Sequence, residues 1–453
     1  MNQVPNIFKA YDIRGLVDSE ITPEFTFATG VAFARLLQQE REPATVVVGQ
    51  DMRDSSQELA DAFSAGITST GFDVIRLGLT STDLMYFASG KLGLPGAMFT
   101  ASHNPAAYNG IKLCYSSARP IGKESGLQVI ESFVRQGSPL EIRSVGIETQ
   151  RDMLEDYVDH LLKLVDLSEI RPLTIVIDAG NGMAGFTAPA VFKRLNVEVI
   201  EMYFELDGAF PNHEANPIDP KNLKDLSVAV KKNKADIGLA FDGDADRCFL
   251  VDEKGELVNP SALTALIADR ELAKNPGASI IYNLISSRSV KEVIEENGGT
   301  AVRSRVGHSY IKKLMAETGA VFGGEHSGHF YFKDFWRADS GMLAALHALA
   351  ALSQSKQKLS ELLQSYNRYV SSGEINSVVE DAVTVMSAIE SHFASMSGIT
   401  IDRLDGLTVE SADWWFNVRA SNTEPLLRLN VEATTQALMD KIRLQALALI
   451  GGK

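Results

Sequence analysis

Residues 236–247 read Asp-Ile-Gly-Leu-Ala-Phe-Asp-Gly-Asp-Ala-Asp-Arg, a short apolar strand that runs directly into a loop with three carboxylates. An apolar strand followed by a polar loop also occurs at 96–105 and at 320–329. In all three stretches, the apolar strand is the third in a series of short strands that alternate with helical patterns. Such alternation is typical of βαβ units, so we predict three related α/β domains with mixed sheets.

The nine predicted strands fall at 45–49, 72–77 and 96–100, at 174–178, 197–203 and 236–241, and at 279–282, 300–302 and 320–322. Beyond about residue 363 the pattern changes to two strands, 414–418 and 426–431, and a helix at 435–450. This change predicts a smaller C-terminal α+β domain. The predicted domains are 1–147, 148–254, 255–366 and 367–453.

Composition limits the class of protein. The chain has 453 residues, of which 45% are hydrophobic, and its 58 acidic and 43 basic side chains give a net charge of −15. A disordered chain is excluded by the apolar fraction, and no nucleic-acid partner is expected because phosphate backbones require a basic surface. An anionic ligand would need positive residues gathered locally against the average field.

Targeting and cysteine signals point to a cytoplasmic protein without a membrane partner. Cys114 and Cys248 each lie in a predicted strand and are expected to be small buried hydrophobic residues, not a disulfide. The first 15 residues lack the apolar core of a signal peptide. The longest apolar run, 342–352, is too short to cross a bilayer and predicts a buried helix.

The carboxylates of Asp242, Asp244 and Asp246 stand at alternate positions of a tight loop, which can aim several oxygens at one point. Mg²⁺ prefers such oxygen ligands, and three ionised carboxylates without a cation would repel one another. The apolar segments on both sides draw the loop toward the fold. A magnesium site is therefore favoured over a solvated acidic turn.

The other polar loops are ambiguous when each is taken alone. Ser102 could be a nucleophile, but 100–105 is also an ordinary turn sequence, which is the favoured interpretation. The loop 323–329 suits sugar hydroxyls and equally suits a flexible polar turn. The loop 419–424 is balanced between a phosphate nest and a hairpin turn. Arg14 and His308, by position alone, predict a solvated charge and a structural histidine.

Six motifs in order resemble the α-D-phosphohexomutase superfamily, most closely its bacterial phosphomannomutase/phosphoglucomutase members. They are KAYDIRG (9–15), TASHNP (100–105), DGDADR (242–247), RVGHS (305–309), GGEHSGH (323–329) and RASNTEP (419–425). The resemblance covers nearly the whole chain. It implies four domains around a central cleft, a bound Mg²⁺ and a phosphorylated serine.

The resemblance also implies roles for individual residues. It assigns the metal to Ser102 through its phosphate and to Asp242, Asp244 and Asp246. The implied catalytic residues are Ser102, Lys112, His329, Arg14 and Arg247, with Lys112 and His329 as the acid/base candidates. The implied substrate-binding residues are Tyr11, His103, Asn104, Gly307, His308, Glu325, His326, Ser327, Arg419, Ser421, Asn422 and Thr423.

The implied reaction interconverts hexose 6-phosphate and hexose 1-phosphate, for mannose and as a second option for glucose, through a 1,6-bisphosphate. Glucose 1,6-bisphosphate or mannose 1,6-bisphosphate is the implied activator. The alternatives are a phosphoglucosamine mutase, a non-catalytic sugar-phosphate-binding protein and, as the weakest, a phosphatase. We expect a monomer or weak dimer. The sequence leaves the preference at C2 of the sugar open.

Three positions depart from the superfamily pattern. Ala245 stands where many relatives carry Gly, which narrows the backbone conformations available to the loop. Ile285 stands where a basic residue is expected, with Arg288 as a candidate replacement for that phosphate contact. His326 occupies the variable position of its loop, where His is typical of mannose/glucose enzymes and Gln of phosphoglucosamine mutases.

Overall fold

The computed structural model describes residues 7–137, 144–420 and 426–451, apart from the side chains of residues 308 and 309. The helices are α1 (Pro23–Gln39), α2 (Ser56–Thr68), α3 (Thr82–Leu92), α4 (Leu127–Gln136), α5 (Leu154–Leu164), α6 (Ala184–Phe192), α7 (Lys224–Asn233), α8 (Pro260–Lys274), α9 (Arg288–Glu296), α10 (His308–Thr318), α11 (Gly341–Gln354), α12 (Leu359–Leu362), α13 (Ala382–Ala394) and α14 (Gln436–Gly451).

The strands are β1 (Ile13–Leu16), β2 (Thr45–Gln50), β3 (Asp73–Leu79), β4 (Gly96–Phe99), β5 (Tyr108–Tyr115), β6 (Arg119–Pro120), β7 (Glu148–Gln150), β8 (Leu173–Asp178), β9 (Val197–Met202), β10 (Ile237–Phe241), β11 (Cys248–Asp252), β12 (Ser279–Asn283), β13 (Thr300–Ser304), β14 (Phe322–Gly324), β15 (Phe330–Phe332), β16 (Ala338–Asp339), β17 (Val370–Val378), β18 (Thr400–Asp402), β19 (Leu407–Glu410), β20 (Trp414–Ala420) and β21 (Leu426–Ala433).

The chain divides into two compact units. The first comprises residues 1–260, 315–317 and 327–362, and the second comprises 261–314, 318–326 and 363–453. The first unit holds the sheet β1-β5-β4-β2-β3-β7, the sheet β11-β10-β8-β9 and the antiparallel pair β15-β16. The second unit holds β13-β12-β14 and the antiparallel sheet β17-β21-β20-β19-β18.

The repeat predicted from the sequence is confirmed in the sheets. In each of three cases the first strand is central, and the second and third strands lie parallel on either side, as β3-β2-β4, β9-β8-β10 and β13-β12-β14. Antiparallel β5 and β11 extend the first two sheets, which makes them mixed. Since the carboxyl ends of parallel strands share one edge of a sheet, the polar loops that follow them gather there.

Local sequence signals explain where the site-bearing helices start and how closely they pack. Helix α3 begins after Ser81, whose hydroxyl accepts a hydrogen bond from the Leu84 amide, and ends at Gly93 in the left-handed conformation. A Cβ on Gly30 of α1 would lie 2.3 Å from the carbonyl oxygen of Phe63 in α2. Glycine is therefore required for the close approach of these two helices.

The fourth sheet is built differently from the other three, as the change of pattern near residue 363 predicted. All its strands are antiparallel, and α13 and α14 contribute Phe393 and Ile442 to a core that also contains Phe416. The apolar run 342–352 lies in the buried helix α11, and both cysteine thiols are buried. Every helix in the described ranges is too short or too polar to span a membrane.

Candidate active site

Ser102 lies immediately after β4 in a loop that Arg53 holds in shape. Nη1 of Arg53 donates to the carbonyls of Pro105 and Tyr108, at 2.9 and 3.0 Å, and Nη2 donates to those of Ser102 and Asn104, at 2.9 and 2.7 Å. Its Nε donates to Asp51 at 3.2 Å. All five guanidinium N–H groups are thus used, four of them on the main chain of this loop.

The hydrogen bonds from Arg53 stabilise a backbone conformation at Ser102 that ordinarily favours glycine. Ser102 has φ of +51°, in the left-handed region, and is only 1% exposed. Its amide donates to Thr100 Oγ1 at 2.9 Å, and its own Oγ donates to Asp242 Oδ2 at 2.8 Å. A Cβ on Gly243 would lie 2.4 Å from the Ser102 carbonyl oxygen, so Gly243 allows the two loops to meet.

The loop after β10 brings its three carboxylates together. Asp242, Asp244 and Asp246 are at most 1% exposed, and one oxygen from each lies within 4.8 Å of the others. Ala245, between Asp244 and Asp246, has φ of +61°. This left-handed conformation costs conformational energy for any residue other than glycine, as the sequence comparison anticipated. The predicted convergence of alternate carboxylates is present in the structure.

Two cations neutralise part of this charge, and a hydroxyl donates a hydrogen bond to it. Lys112 of β5 donates through Nζ to Asp244 Oδ2 at 2.6 Å and to Asp246 Oδ2 at 2.5 Å. Thr82 Oγ1 donates to the same oxygen of Asp244 at 2.5 Å. Arg247 Nε lies 3.5 Å from Asp242 Oδ2, and its amide donates to Asp242 Oδ1 at 3.2 Å.

The pKa values reflect the crowded charges. Burial, together with Asp246 and Asp244, raises the pKa of Asp242 well above its usual range. Against the effect of burial, Lys112 and His329 hold the pKa of Asp246 well below its usual range. Against the effect of burial, the two carboxylates also raise the pKa of Lys112 well above its usual range. The three carboxylates together would therefore be stabilised by a further positive charge in addition to Lys112 and Arg247.

The donor set fits a hard divalent cation such as Mg²⁺. Asp244 Oδ1 is buried and accepts no hydrogen bond from any residue that the structure describes, and the buried Asp246 Oδ1 has long contacts, with His329 Nε2 at 3.5 Å and Arg247 Nε at 3.9 Å. A buried carboxylate oxygen without a partner is costly unless a ligand satisfies it. With Asp242 these atoms form an all-oxygen set, which Mg²⁺ prefers over nitrogen or sulfur ligands.

Several other residues that the sequence singled out lie at this centre. Arg14 Nη1 donates to Asn104 Oδ1 at 2.6 Å, and its Nη2 pairs with Asp12 at 2.5 Å. Arg14 is therefore not the solvated charge that its position alone suggested. His103 Nδ1 lies 3.3 Å from Ser102 Oγ, and Arg247 together with burial lowers the pKa of His103 well below its usual range. Tyr11 lies half-buried in the bend before β1.

His329 reaches the acidic loop from the start of the β15-β16 segment. Its Nε2 lies 3.5 Å from Asp246 Oδ1 and accepts a hydrogen bond from Arg247 Nε at 3.3 Å. Its Nδ1 lies 2.9 Å from Ser327 Oγ. Both ring nitrogens of His329 are thus placed by neighbours, which fixes the ring orientation.

Glu325 and His326 belong to the second unit and have their own partners there. Glu325 is 2% exposed, and its Oε1 accepts from the Gly307 amide at 3.0 Å. His326 Nδ1 lies 3.4 Å from Ser261 Oγ, and burial lowers the pKa of His326. The predicted His308 lies at the start of α10, but its side chain is outside the described part.

Arg419 lies at the end of β20 opposite Arg428 of β21. Arg419 Nη2 pairs with Glu374 Oε2 at 2.9 Å, and Arg428 Nη1 lies 3.5 Å from Glu374 Oε1. Two cations therefore share one carboxylate, which leaves positive charge for an anion. Ser421, Asn422 and Thr423, predicted to complete this anion loop, lie outside the described residues.

Comparison with known proteins identifies the family. Models of the phosphoglucomutase/phosphomannomutase domains match most of the chain in order: α/β/α domain I at 5–140, domain II at 155–255, domain III at 259–369 and the C-terminal domain at 374–449. The chain belongs to the α-D-phosphohexomutase superfamily. Superfamily membership makes it an enzyme of the isomerase class. The boundaries at 147, 254 and 366 stay predictions.

Individual relatives cover almost all of the chain. A phosphomannomutase of Salmonella typhimurium is 39% identical over 435 residues, 94% of each chain. A phosphoglucomutase of Neisseria gonorrhoeae is 38% identical over 443 residues, 97% of this chain and 95% of the relative. A solved phosphoglucomutase/phosphomannomutase family protein of Burkholderia thailandensis has a TM-score of 0.89 at 33% identity, covering 98% of this chain and 97% of that one.

One departure from the phosphohexomutase pattern now has a structural description. Ile285 is a buried apolar side chain, 7% exposed. Arg288, the candidate replacement, donates through Nη1 to the Ala412 carbonyl at 2.5 Å and through Nη2 to the Ser411 carbonyl at 2.7 Å. Its Nη2 also pairs with Glu410 at 3.0 Å. These bonds engage Arg288 in holding the 410–412 segment, so the structure does not favour it as a phosphate contact.

The sequence reasoning missed three residues that shape the phosphohexomutase centre. Arg53 and Asp51 follow β2, and Thr82 begins α3. A signal for Arg53 was present, because polar residues directly after a first strand share a sheet edge with the loop after the third strand. No local signal marks Thr82, since a threonine at a helix start is ordinary.

Proposed function

We propose that this phosphohexomutase interconverts hexose 6-phosphate and hexose 1-phosphate, with mannose as the principal sugar and Ser102 as the carrier of the phosphoryl group. The observation that carries the proposal is the 2.8 Å hydrogen bond from Ser102 Oγ to Asp242 Oδ2. Through this bond a hydroxyl that could act as the nucleophile lies beside the acidic loop proposed to bind the metal. The Salmonella typhimurium relative is a phosphomannomutase, which supports mannose as the sugar.

Asp242, Asp244 and Asp246 would hold Mg²⁺, with the phosphate on Ser102 as a further ligand. Bound there, the ion would stabilise negative charge on the oxygens of the transferring phosphoryl group. Arg247, 3.9 Å from Asp246 Oδ1, supplies a second positive charge at the same place. Arg14 and Asn104 then orient the loop on which Ser102 is carried.

The proposed transfer breaks the bond between phosphorus and Ser102 Oγ and forms one to a free sugar hydroxyl. His329 Nε2 accepts the hydroxyl proton, and the Lys112 ammonium returns a proton to Ser102 Oγ. The product is a hexose 1,6-bisphosphate. After the sugar reverses its orientation, the same two proton transfers run backward, which restores the phosphoserine and releases the isomeric monophosphate.

The remaining candidate residues would bind the parts of the sugar that do not react. Glu325 and Ser327 would hold the ring hydroxyls O3 and O4. Arg419, with residues 421–423, would grip the phosphate distant from Ser102 through charge-assisted bonds. Glucose 1,6-bisphosphate, or the mannose compound, would activate the enzyme by phosphorylating unmodified Ser102.

Glucose is a second candidate substrate because the Neisseria gonorrhoeae relative carries the name phosphoglucomutase. Mannose and glucose phosphates differ only at C2, so one active site is chemically able to take both. The proposal does not favour glucosamine phosphate or a binding-only role. The comparison of kcat/KM for mannose 1-phosphate and glucose 1-phosphate gives the order of preference.

The test is the conversion of mannose 1-phosphate to mannose 6-phosphate with Mg²⁺ and catalytic glucose 1,6-bisphosphate. We expect Ser102→Ala to reduce kcat by at least about 10³-fold, since the covalent route is lost. Intact-mass spectrometry should show one phosphoryl group on the wild type and none on the variant. The exposed Ser395→Ala is the matched control. Near-normal turnover in Ser102→Ala would contradict the phosphoserine mechanism.

A further inference from the structure

The two oxygens of the Asp244 carboxylate have different surroundings. Oδ2 accepts from Thr82 Oγ1 at 2.5 Å and from Lys112 Nζ at 2.6 Å. Oδ1 is equally buried, yet within the described ranges it accepts nothing. The carboxylate is therefore held in one rotation, with a satisfied oxygen on one side and an unsatisfied one on the other.

Thr82 makes two contacts with Asp244, not one. Besides the hydroxyl bond, the Thr82 amide donates to the Asp244 carbonyl oxygen at 3.0 Å. Thr82 is fully buried at the first position of α3. Its branched side chain has few rotamers, so the amide and the hydroxyl hold the backbone and the carboxylate of one residue together.

The start of α3 is itself anchored. Asp83 Oδ2 accepts from the Tyr157 hydroxyl of α5 and from Ser340 Oγ, which precedes α11, both at 2.6 Å. Asp83 Oδ1 accepts from Ser81 Oγ at 2.5 Å. Because two segments distant in sequence bond to Asp83 in addition to the neighbouring Ser81, the position from which Thr82 donates is fixed by the fold and not by the acidic loop.

Lys112 cannot set the rotation of Asp244 by itself. Its ammonium group also donates to Asp246, at 2.5 Å. An ammonium group carries three equivalent N–H donors on a freely rotating nitrogen, so it does not select one oxygen of a carboxylate. A hydroxyl has one proton to donate, and in Thr82 that proton is directed at Asp244 Oδ2. Thr82 is thus the group that distinguishes the two oxygens.

We propose that Thr82 is a positioning residue of the metal loop, which turns Asp244 so that Oδ1 is presented to the cation. This inference rests on the Mg²⁺ site of the proposed function and adds a residue to it. Mutation of a residue that orients a metal ligand without touching the metal commonly weakens metal affinity by about 10–100-fold. The effect of losing the Thr82 hydroxyl should therefore appear in metal binding itself.

The test compares Thr82→Val, which removes the donor and keeps the shape, with Thr82→Ser, which keeps the donor. Isothermal titration of the purified full chain with MgCl₂ should give a Kd about 10–100-fold weaker for the valine variant. The serine variant should bind close to wild type. Saturating Mg²⁺ should restore most of the kcat that Thr82→Val loses.

Thr80→Val is the matched control, because Thr80 is equally buried but its hydroxyl donates to the Ser81 carbonyl, at 3.2 Å, and not to the acidic loop. A purely structural role for Thr82 predicts a lower Tm with unchanged Kd, and this result would overturn the inference. If the valine variant does not fold, Thr82→Ala, which removes the same hydroxyl without strain, is measured in its place. Failure of the wild type to bind Mg²⁺ would instead refute the proposed function.

Discussion

Two charged regions of the molecule carry opposite excess charge. The acidic centre, formed by Asp242, Asp244 and Asp246 with Lys112 and Arg247, has three carboxylates against two cations. The basic pair, formed by Arg419 and Arg428 with Glu374, has two cations against one carboxylate. The sign of the excess charge supports the proposed ligands, which are a cation for the acidic centre and an anion for the basic pair.

The two regions also differ in burial. The carboxylates of the acidic centre have side chains no more than 1% exposed, whereas Arg419, Glu374 and Arg428 are 13%, 28% and 30% exposed. Charges interact more strongly where water is excluded. A buried region suits a ligand that stays, such as a metal ion. A hydrated region suits a ligand that must leave in every cycle, such as the phosphate of a substrate.

Among changes that test this comparison, the largest effect is expected when the excess charge of the acidic centre is removed. Asp242→Asn leaves two carboxylates against two cations, and kcat should fall by roughly 10²–10³-fold. In the presence of EDTA the same variant should have a Tm roughly 2 °C or more above wild type, because one repelling buried carboxylate is gone. Activity and thermal unfolding with and without Mg²⁺ measure both changes.

Asp156→Asn, which removes an exposed carboxylate of α5 outside the acidic centre, is a suitable charge control and should leave kcat near the wild-type value. A metal-free Tm for Asp242→Asn below that of wild type would show that the three carboxylates do not repel one another. The comparison between the two regions would then lose its electrostatic basis.

The next effect concerns Asp83, a further buried carboxylate near the acidic centre. Burial raises the pKa of Asp83 to about 6. The native state therefore binds this proton more tightly than the unfolded chain, and stability should fall as pH rises from about 4 to about 6. For a shift of this size the loss is about 3 kcal/mol. Asp83→Asn should abolish it, as measured by unfolding across that pH range.

Asp381 is the matched control for this measurement, because it caps α13 at the surface and its pKa is lowered by its bonds to Thr384. Asp381→Asn should lower the free energy of unfolding at neutral pH. Unlike Asp83→Asn, it should not be more stable than wild type above pH 6. Parallel pH profiles for wild type and Asp83→Asn would disprove the raised pKa.

A smaller effect is expected at the basic pair, where water screens the charges. Arg419→Ala should raise KM for mannose 1-phosphate by about 10–100-fold, the value of a charge-assisted hydrogen bond. Glu374→Gln removes the competing carboxylate and should lower KM by about 2–5-fold, as expected for a partly exposed pair. An increase in KM for Glu374→Gln would show that the carboxylate orients the arginines and does not compete for them.

The smallest effect is expected at Ala245, within the acidic loop but without charge. Glycine would relieve the cost of φ at +61°, roughly 1 kcal/mol, and would add unfolded-state entropy of similar size. Ala245→Gly should therefore leave Tm nearly unchanged, whereas the branched Ala245→Val should lower it clearly. Equal Tm values for the two variants would mean that the loop adjusts its backbone.

The fold and the acidic loop were accessible from the sequence because both depend on local patterns. The nine strands of the repeat were found from apolar runs, and the convergence of Asp242, Asp244 and Asp246 from their alternate spacing. Ser102 was ambiguous by itself and became distinctive only beside the other motifs. The resemblance pointed to residues, but their contacts had to come from the structure.

The remaining features depend on contacts between residues far apart in the chain. Thr82 and Asp244 are 162 positions apart, and no periodicity connects them. Arg288 was a reasonable candidate for a phosphate contact by position, yet its guanidinium bonds to carbonyls of residues 411 and 412. Sequence patterns indicate which groups are polar, but they do not show which partner satisfies each one.

The hydrogen bonds of Arg53 have a consequence for how this site changes during evolution. Four of its five donors go to carbonyl oxygens, which every amino acid carries. The loop that presents Ser102 can therefore keep these bonds whatever side chains occupy positions 105 and 108. Those positions can accept mutations while Ser102 stays in place, provided that residue 53 remains arginine.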